Sequence, residues 1–182
     1  MKHLHRPLEV KRVDERGVFE GYGSVFGVED HYRDVVEPGA FVKSLAKWRA
    51  RDKFPALLWQ HDTDKPIGVY EDMAEDERGL YVRGRLLIEE VALAREAWAL
   101  IRAGAVNGLS IGYRPVTEER GRDGINRILE IDLWEVSLVT FPANEAGAVT
   151  DVKQADAELF TWLRNHTETM KSIFLGGRHH GR

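Results

Sequence analysis

The 182-residue sequence has no cysteine. Disulfides, thiol nucleophiles and cysteine metal sites are therefore excluded, and the composition suits a reducing cytoplasm. No apolar run is long enough to cross a bilayer, and residues 1–6 are not followed by the hydrophobic segment of a signal peptide, so no membrane association is expected. Neither sign of charge dominates. Twenty-six basic residues stand against 30 acidic ones, a formal net charge of −4, which gives no reason to expect a nucleic acid partner. There is no His-Glu-x-x-His pair, and Asp30-His31-x-x-Asp34 has too few ligands to close a metal site. No glycine-rich loop precedes a basic residue and a helix in the order that phosphate binding needs. No metal or other cofactor is expected, and the sequence has no internal repeat or low-complexity segment.

What is present is 43% hydrophobic and 31% charged residues, a composition that suits one globular domain plus a tail. Residues 18–26 read as a strand, with Gly21 and Gly23 where a bulge or barrel corner would fall. Residues 27–37 read as a polar loop ended by Pro38-Gly39. Phe41, Leu45 and Trp48 fall at helical spacing, and Val91, Ala94, Trp98 and Ile101 form the stripe of a second helix over residues 90–103, ended by Gly104. Residues 55–61 read as an apolar strand with Leu57, Trp59 and His61 on one side. Residues 66–70 and 80–86 read as a hairpin, and residues 126–141 as two strands or one bent strand. The class is thus mainly β with helices (α+β). Beyond residue 154, apolar residues again repeat at helical spacing as far as Gly176-Gly177, which predicts a carboxy-terminal helix, docked on the domain or on a partner. Residues 178–182 read as a frayed end.

Chemistry concentrates on Gly108-Leu109-Ser110-Ile111-Gly112. Leu109, Ile111 and Tyr113 alternate with Ser110, so the serine sits on one face of a strand. The spacing Gly-x-Ser-x-Gly matches the nucleophile elbow of α/β-hydrolases, but an elbow requires a helix directly after the serine, and here Tyr113-Arg114-Pro115 favours extended chain. A serine needs a base to take its proton. Of seven histidines, only His61 is attached to rigid β structure; the alternative reading is a strand-end histidine bonded to a neighbour. For a third group, alternation puts Glu135 and Ser137 on the apolar face that Leu129, Ile131 and Leu133 define. A carboxylate there must find a donor or shift its pKa, unless a bulge returns it to solvent or an arginine pairs with it.

Four blocks in order resemble the prohead (capsid maturation) serine proteases of tailed bacteriophages and prophages. They are Gly21-Tyr22-Gly23-Ser24-Val25-Phe26-Gly27 with Asp34-Val35-Val36-Glu37-Pro38-Gly39-Ala40-Phe41; Leu58-Trp59-Gln60-His61-Asp62 with Pro66-Ile67-Gly68; Gly108 to Tyr113; and Leu133 to Asn144. Arg33 departs from the pattern, which favours a small residue before Asp34. The resemblance spans residues 8–150, the expected catalytic domain, and leaves residues 151–182 as the helix and tail. It implies an antiparallel barrel flanked by helices, similar in fold to the herpesvirus assemblins.

The resemblance also implies catalytic roles for Ser110 and His61. Assemblins use a second histidine as the third member; here Glu135 is the candidate, with Asp62 as the fallback and another histidine as a further option. The implied activity is a serine endopeptidase that processes scaffold and the major capsid protein precursor inside the prohead, in the host cytoplasm. Self-cleavage and a homodimer are also expected from it. The alternative functions are a non-enzymatic capsid assembly factor that keeps the protease fold and, more remotely, a serine esterase.

Overall fold

The protein is described by a computed structural model over residues 14–144. The expected carboxy-terminal helix, the tail and the boundary at residue 151 lie outside those residues. The described chain runs β1 (Val18–Val25), β2 (Asp34–Val36), α1 (Val42–Arg49), β3 (Ala56–Trp59), β4 (Asp62–Glu75), β5 (Gly79–Leu86), α2 (Ala92–Arg102), β6 (Gly108–Arg120) and β7 (Asn126–Val139). The strands make one sheet in the order β1-β5-β4-β3-β7-β2, with β6 along the other edge of β7. Four pairings are antiparallel and two, β2 with β7 and β3 with β7, are parallel.

Two details differ from a closed antiparallel barrel. Among the described residues the sheet curls but is not hydrogen-bonded round, because β1 pairs only with β5 and β6 only with β7. The parallel pairings arise because β2 and β3 both dock on the same edge of the long strand β7, at its start (Val36 beside Ile128) and at its end (Leu58 beside Ser137). β2 replaces part of the expected polar loop; three residues are too short to leave an alternation signal. Arg33 enters it with φ of +66°, a left-handed conformation that favours a small residue at that position.

Between β2 and β3, residues 129–134 of β7 have no strand on that edge. The segment around α1 supplies partners instead. Ile131 N–H donates to the Ala40 carbonyl (3.1 Å), Leu133 N–H to Ser44 Oγ (2.9 Å), and the Leu133 carbonyl accepts from Trp48 Nε1 (2.8 Å). Buried backbone groups left unpaired would each cost about 1–3 kcal/mol, so α1 is held where it can satisfy them. Its Phe41 and Leu45 fill the core as their spacing predicts. From α2, Ala94, Ala97 and Ile101 are buried, while Trp98 lies at the core margin with Nε1 on the Asp14 carbonyl. Phe19, Leu57, Ile67, Met73, Leu80, Leu109, Leu133 and Val136 are among the side chains that fill the space inside the curl. Each fully buried large apolar side chain contributes roughly 1.5–3 kcal/mol.

Candidate active site

β7 carries the site because its alternation changes phase. Ile131 and Leu133 face the core. Opposite them β6 slips: Gly112 pairs with Glu135 but Tyr113 pairs with Leu133, leaving Trp134 as the extra residue of a bulge. Beyond the bulge the core residues are Val136 and Leu138, not Glu135 and Ser137. Strict alternation therefore misplaces Glu135. It and Ser137 occupy the face opposite the core, together with their partners Gly112 and Ser110 on β6. Trp134, not Glu135, is the residue the bulge turns to solvent, while Glu135 stays 8% exposed.

His61 is likewise not a strand residue. Gln60 and His61 are the two central residues of a hairpin turn between Trp59 and Asp62, which are paired, and both have positive φ (+55° and +60°). A tight hairpin asks for left-handed residues at both positions, normally Asn-Gly. With two ordinary L-residues the turn costs about 1–3 kcal/mol at each. Four bonds offset this. Gln60 N–H donates to the Leu138 carbonyl (2.9 Å) and its amide to Thr140 Oγ1 (2.9 Å). His61 N–H donates to Ser137 Oγ (3.1 Å), and its ring Nδ1 meets Glu135 Oε1 at 2.5 Å. The turn thereby returns the imidazole over β7 onto Glu135.

Glu135 has two partners. Oε1 takes the His61 ring and Oε2 accepts from Ser137 Oγ (2.5 Å). Such short bonds to an ionised carboxylate belong to the strong class. No arginine pairs with it among the described residues. The buried Tyr70 hydroxyl donates to the Val136 carbonyl (3.0 Å), and burial, then the charge of Glu135, push its phenol well above the ordinary range. Ser137, fully buried, bridges the His61 turn and the carboxylate. Alternation pairs it with Glu135 on one face but misplaces that face, and its bridging role depends on β3 lying beside β7.

Ser110 sits directly across from Ser137 on β6 and is 5% exposed. Its hydroxyl makes no hydrogen bond with a described residue, His61 included. The imidazole Nε2 is also unengaged among the described residues. The fallback Asp62 is turned away: its carboxylate binds Lys65 (2.8 Å) and the Asp64 N–H (3.0 Å), and Lys65 holds it below the usual carboxylate range. Of the other histidines, His31 is exposed, with its N–H on the Ala143 carbonyl (3.1 Å), and the rest lie outside the described residues. No cluster among the described residues could hold a metal ion.

The glycines flanking the serine make room for neighbours. A Cβ on Gly108 would meet the Val139 carbonyl at 2.7 Å and Pro142 Cδ at 2.8 Å. A Cβ on Gly112 would overlap Glu135 Oε1 and lie 2.8 Å from its Cδ. Gly112→Ala should therefore dislodge the carboxylate from His61 while leaving the strand intact. A misplacement of about 1 Å costs roughly 10²-fold in rate. Turnover assays beside thermal melts are expected to show a loss of that order or more with little change in melting temperature.

The chain is similar to known proteins in sequence and in fold. The family described as "Caudovirus prohead serine protease" matches residues 6–161. The chain is 34% identical over 170 residues to the prohead protease of Enterobacteria phage HK97, covering 89% of this chain and 74% of that one. It is 37% identical over 160 residues to the capsid polyprotein of Pseudomonas phage PAJU2, covering 83% of this chain and 22% of the polyprotein. The bacteriophage T4 capsid assembly protease has the same fold, with a TM-score of 0.57 at 18% identity, covering 69% of this chain and 82% of that one.

Proposed function

Because this chain belongs to the caudovirus prohead serine protease family, whose members are peptidases of capsid maturation, we propose that it is a serine endopeptidase in which Ser110 is the nucleophile, His61 the general base and Glu135 the group that orients it. The observation that carries the proposal is the chain Ser137–Glu135–His61. With Nδ1–H donated to the carboxylate, the neutral imidazole presents its Nε2 lone pair. Nε2 takes the proton as Ser110 Oγ bonds to the peptide carbonyl carbon. The C–N bond then breaks as Nε2 returns that proton to the leaving amine, and a water molecule hydrolyses the acyl-enzyme by the same relay. Glu135 stabilises the imidazolium formed in each half. The Ser110–His61 hydrogen bond forms when substrate is bound, since such bonds in unliganded sites are often long or poorly aligned.

The substrates are proteins of the immature capsid: the major capsid precursor and scaffold, cleaved inside the prohead in the host. The capsid polyprotein relative, only part of which corresponds to this chain, supports a capsid protein as substrate. The test is to treat the protein with a fluorophosphonate while following trimming of its cognate capsid precursor. One covalent adduct on Ser110, mapped by mass spectrometry and coincident with loss of trimming, is expected. An adduct elsewhere, or trimming that survives full labelling, rejects Ser110 as nucleophile.

Ser137 acts as a positioning residue in this scheme. Ser137→Ala removes a donor to a charged carboxylate and the acceptor of the His61 N–H, a cost of about 1–3 kcal/mol in stability. A kcat lower by about 10- to 100-fold at nearly unchanged KM is also expected. Ser137→Thr, which keeps the hydroxyl, should recover much of the kcat. A loss of stability with no kcat defect would make Ser137 structural only.

A further inference from the structure

A pocket of about 80 Å³ opens beside Ser110, walled by residues of β1, β2 and β6 and of the segment between β1 and β2. It lies where the unpaired edges of β6 and β1 approach each other, and Gly23, Asp30, Asp34, Ser110, Ile111 and Tyr113 are among its walls. His61 reaches the site from the β3–β4 turn across β7, and it is not among the pocket's walls. We infer that this pocket receives a lysine or arginine side chain of the substrate next to the scissile bond, and that Asp30 and Asp34 recognise its charge. The inference rests on the peptidase reading above and adds a substrate class to it.

The hydrogen-bond donors described for the two carboxylates are neutral, and the described side chain of opposite charge that acts on Asp30 is His31 next to it in the chain. Asp30 Oδ1 accepts the N–H groups of Tyr32 (2.8 Å) and Asp34 (2.9 Å). Asp34 Oδ1 accepts from the Asn126 amide (2.9 Å), and Oδ2 lies 3.4 Å from the Tyr113 hydroxyl. The guanidinium groups nearest in the chain and across the sheet are engaged elsewhere. Arg33 binds Glu29 and the Asp123 carbonyl, and Arg127 binds Asp123 and approaches Glu37. Burial pushes the Asp30 carboxyl above its usual range, so the fold holds a charge there that it would be easier to omit. Two carboxylates beside a reactive group, with no lysine or arginine paired to them among the described residues, suit a site built for a cationic ligand rather than for stability.

A second, independent feature points to an occupant. Ser110 is 5% exposed, has no described hydrogen-bond partner, and forms part of the same pocket wall. A buried hydroxyl without a partner costs free energy until something enters to bond with it. The volume also fits. A single water needs roughly 10–15 Å³, so 80 Å³ holds a chain of several heavy atoms. Ile111 and Val36 supply apolar wall for methylenes, leaving the acidic end for the cationic group. With no third metal-ligating side chain among the described residues to complete a metal site, an organic cation is the fitting charge.

The test uses the full chain and quenched fluorogenic peptides based on a cleaved capsid sequence. Lysine, arginine, norleucine or glutamate is placed at each position flanking the scissile bond. At one position lysine or arginine should exceed norleucine in kcat/KM by about 10- to 100-fold, with glutamate poorest. The lysine-to-norleucine ratio should shrink as salt rises, and should fall about tenfold or more in Asp30→Asn and in Asp34→Asn. Asp30→Asn keeps the acceptor oxygen and is expected to melt no lower than the wild type, which separates a charge effect from misfolding. Binding of the same peptides to Ser110→Ala, followed by fluorescence anisotropy, reads the pocket without turnover. Preferential binding of the lysine peptide with no cleavage by the wild type would keep the pocket and reject the peptidase. Cleavage with no preference for a cation at any position, or a preference that both asparagine variants retain, would overturn the pocket.

Discussion

Ser110→Ala is expected to lower cleavage of the capsid precursor by about 10⁴- to 10⁶-fold without destabilising the fold. The size follows from how a serine–histidine unit works: removing the nucleophile alone removes nearly all of what the assembled unit contributes. Stability should behave unusually for a buried polar residue. The hydroxyl is 5% exposed and has no described partner, so alanine removes an unsatisfied group instead of creating one. The melting temperature should therefore hold or rise by a few degrees, a combination typical of active-site residues that are retained at the expense of stability. Paired turnover and calorimetry measurements decide the matter. A variant that still trims at more than a few per cent of the wild-type rate removes Ser110 from the mechanism. A variant that melts far lower means the hydroxyl has a structural partner.

Glu135→Gln should have the second largest effect, about 10³- to 10⁴-fold in kcat with KM little changed. The substitution keeps the volume but removes the charge that steadies the imidazolium, and its amide can turn a donor toward His61 Nδ1, favouring the wrong tautomer. Glu135→Asp retains the charge and loses the reach of one methylene. Because the observed contact is only 2.5 Å long and made from one fixed strand position, it should be almost as damaging. Single-turnover assays with excess enzyme measure the chemical step directly. Near-normal kcat in the glutamine variant would show that the carboxylate anchors the strained turn at Gln60 and His61 without assisting the reaction. Asp62, half-buried and tied to Lys65 away from the ring, is the control: Asp62→Asn should change kcat by less than about threefold.

The candidate site was legible in the sequence for reasons that were partly wrong. Glu135 attracts attention as a carboxylate interrupting an apolar alternation, and that oddity is real. Its cause is the bulge at Trp134, which shifts the phase so that Val136 and Leu138 take over the core and Glu135 faces the other way. One inserted residue reverses every face after it, and a linear pattern does not mark where the insertion lies. His61 shows the same limit. The apolar run from Leu57 suggests a strand that includes the histidine, yet Gln60 and His61 turn left-handed without a glycine or asparagine to announce it. That turn is dictated by bonds to Ser137, Glu135 and Leu138, all on a strand some 75 residues further along. The flanking glycines follow suit: Gly112 serves the carboxylate across the ladder, a reason visible only once β6 and β7 are in register.

By itself the sequence determined the chemistry available and the larger elements: no thiol, a serine and a histidine with few competitors, two amphipathic helices, the hairpin of β4 and β5, and the long β segments that bear Ser110 and Glu135. These are local properties, set by residue type and by periods of two or 3.6 that neighbouring residues share. The tertiary structure decided which groups meet. The parallel docking of β3 on β7 and the bulge opposite Gly112 bring the imidazole onto Glu135, and the approach of β1 to β6 leaves an acidic pocket beside the serine. Those placements depend on pairing between segments far apart in the chain, whose energies come from burial and backbone hydrogen bonds that many residue choices satisfy equally well.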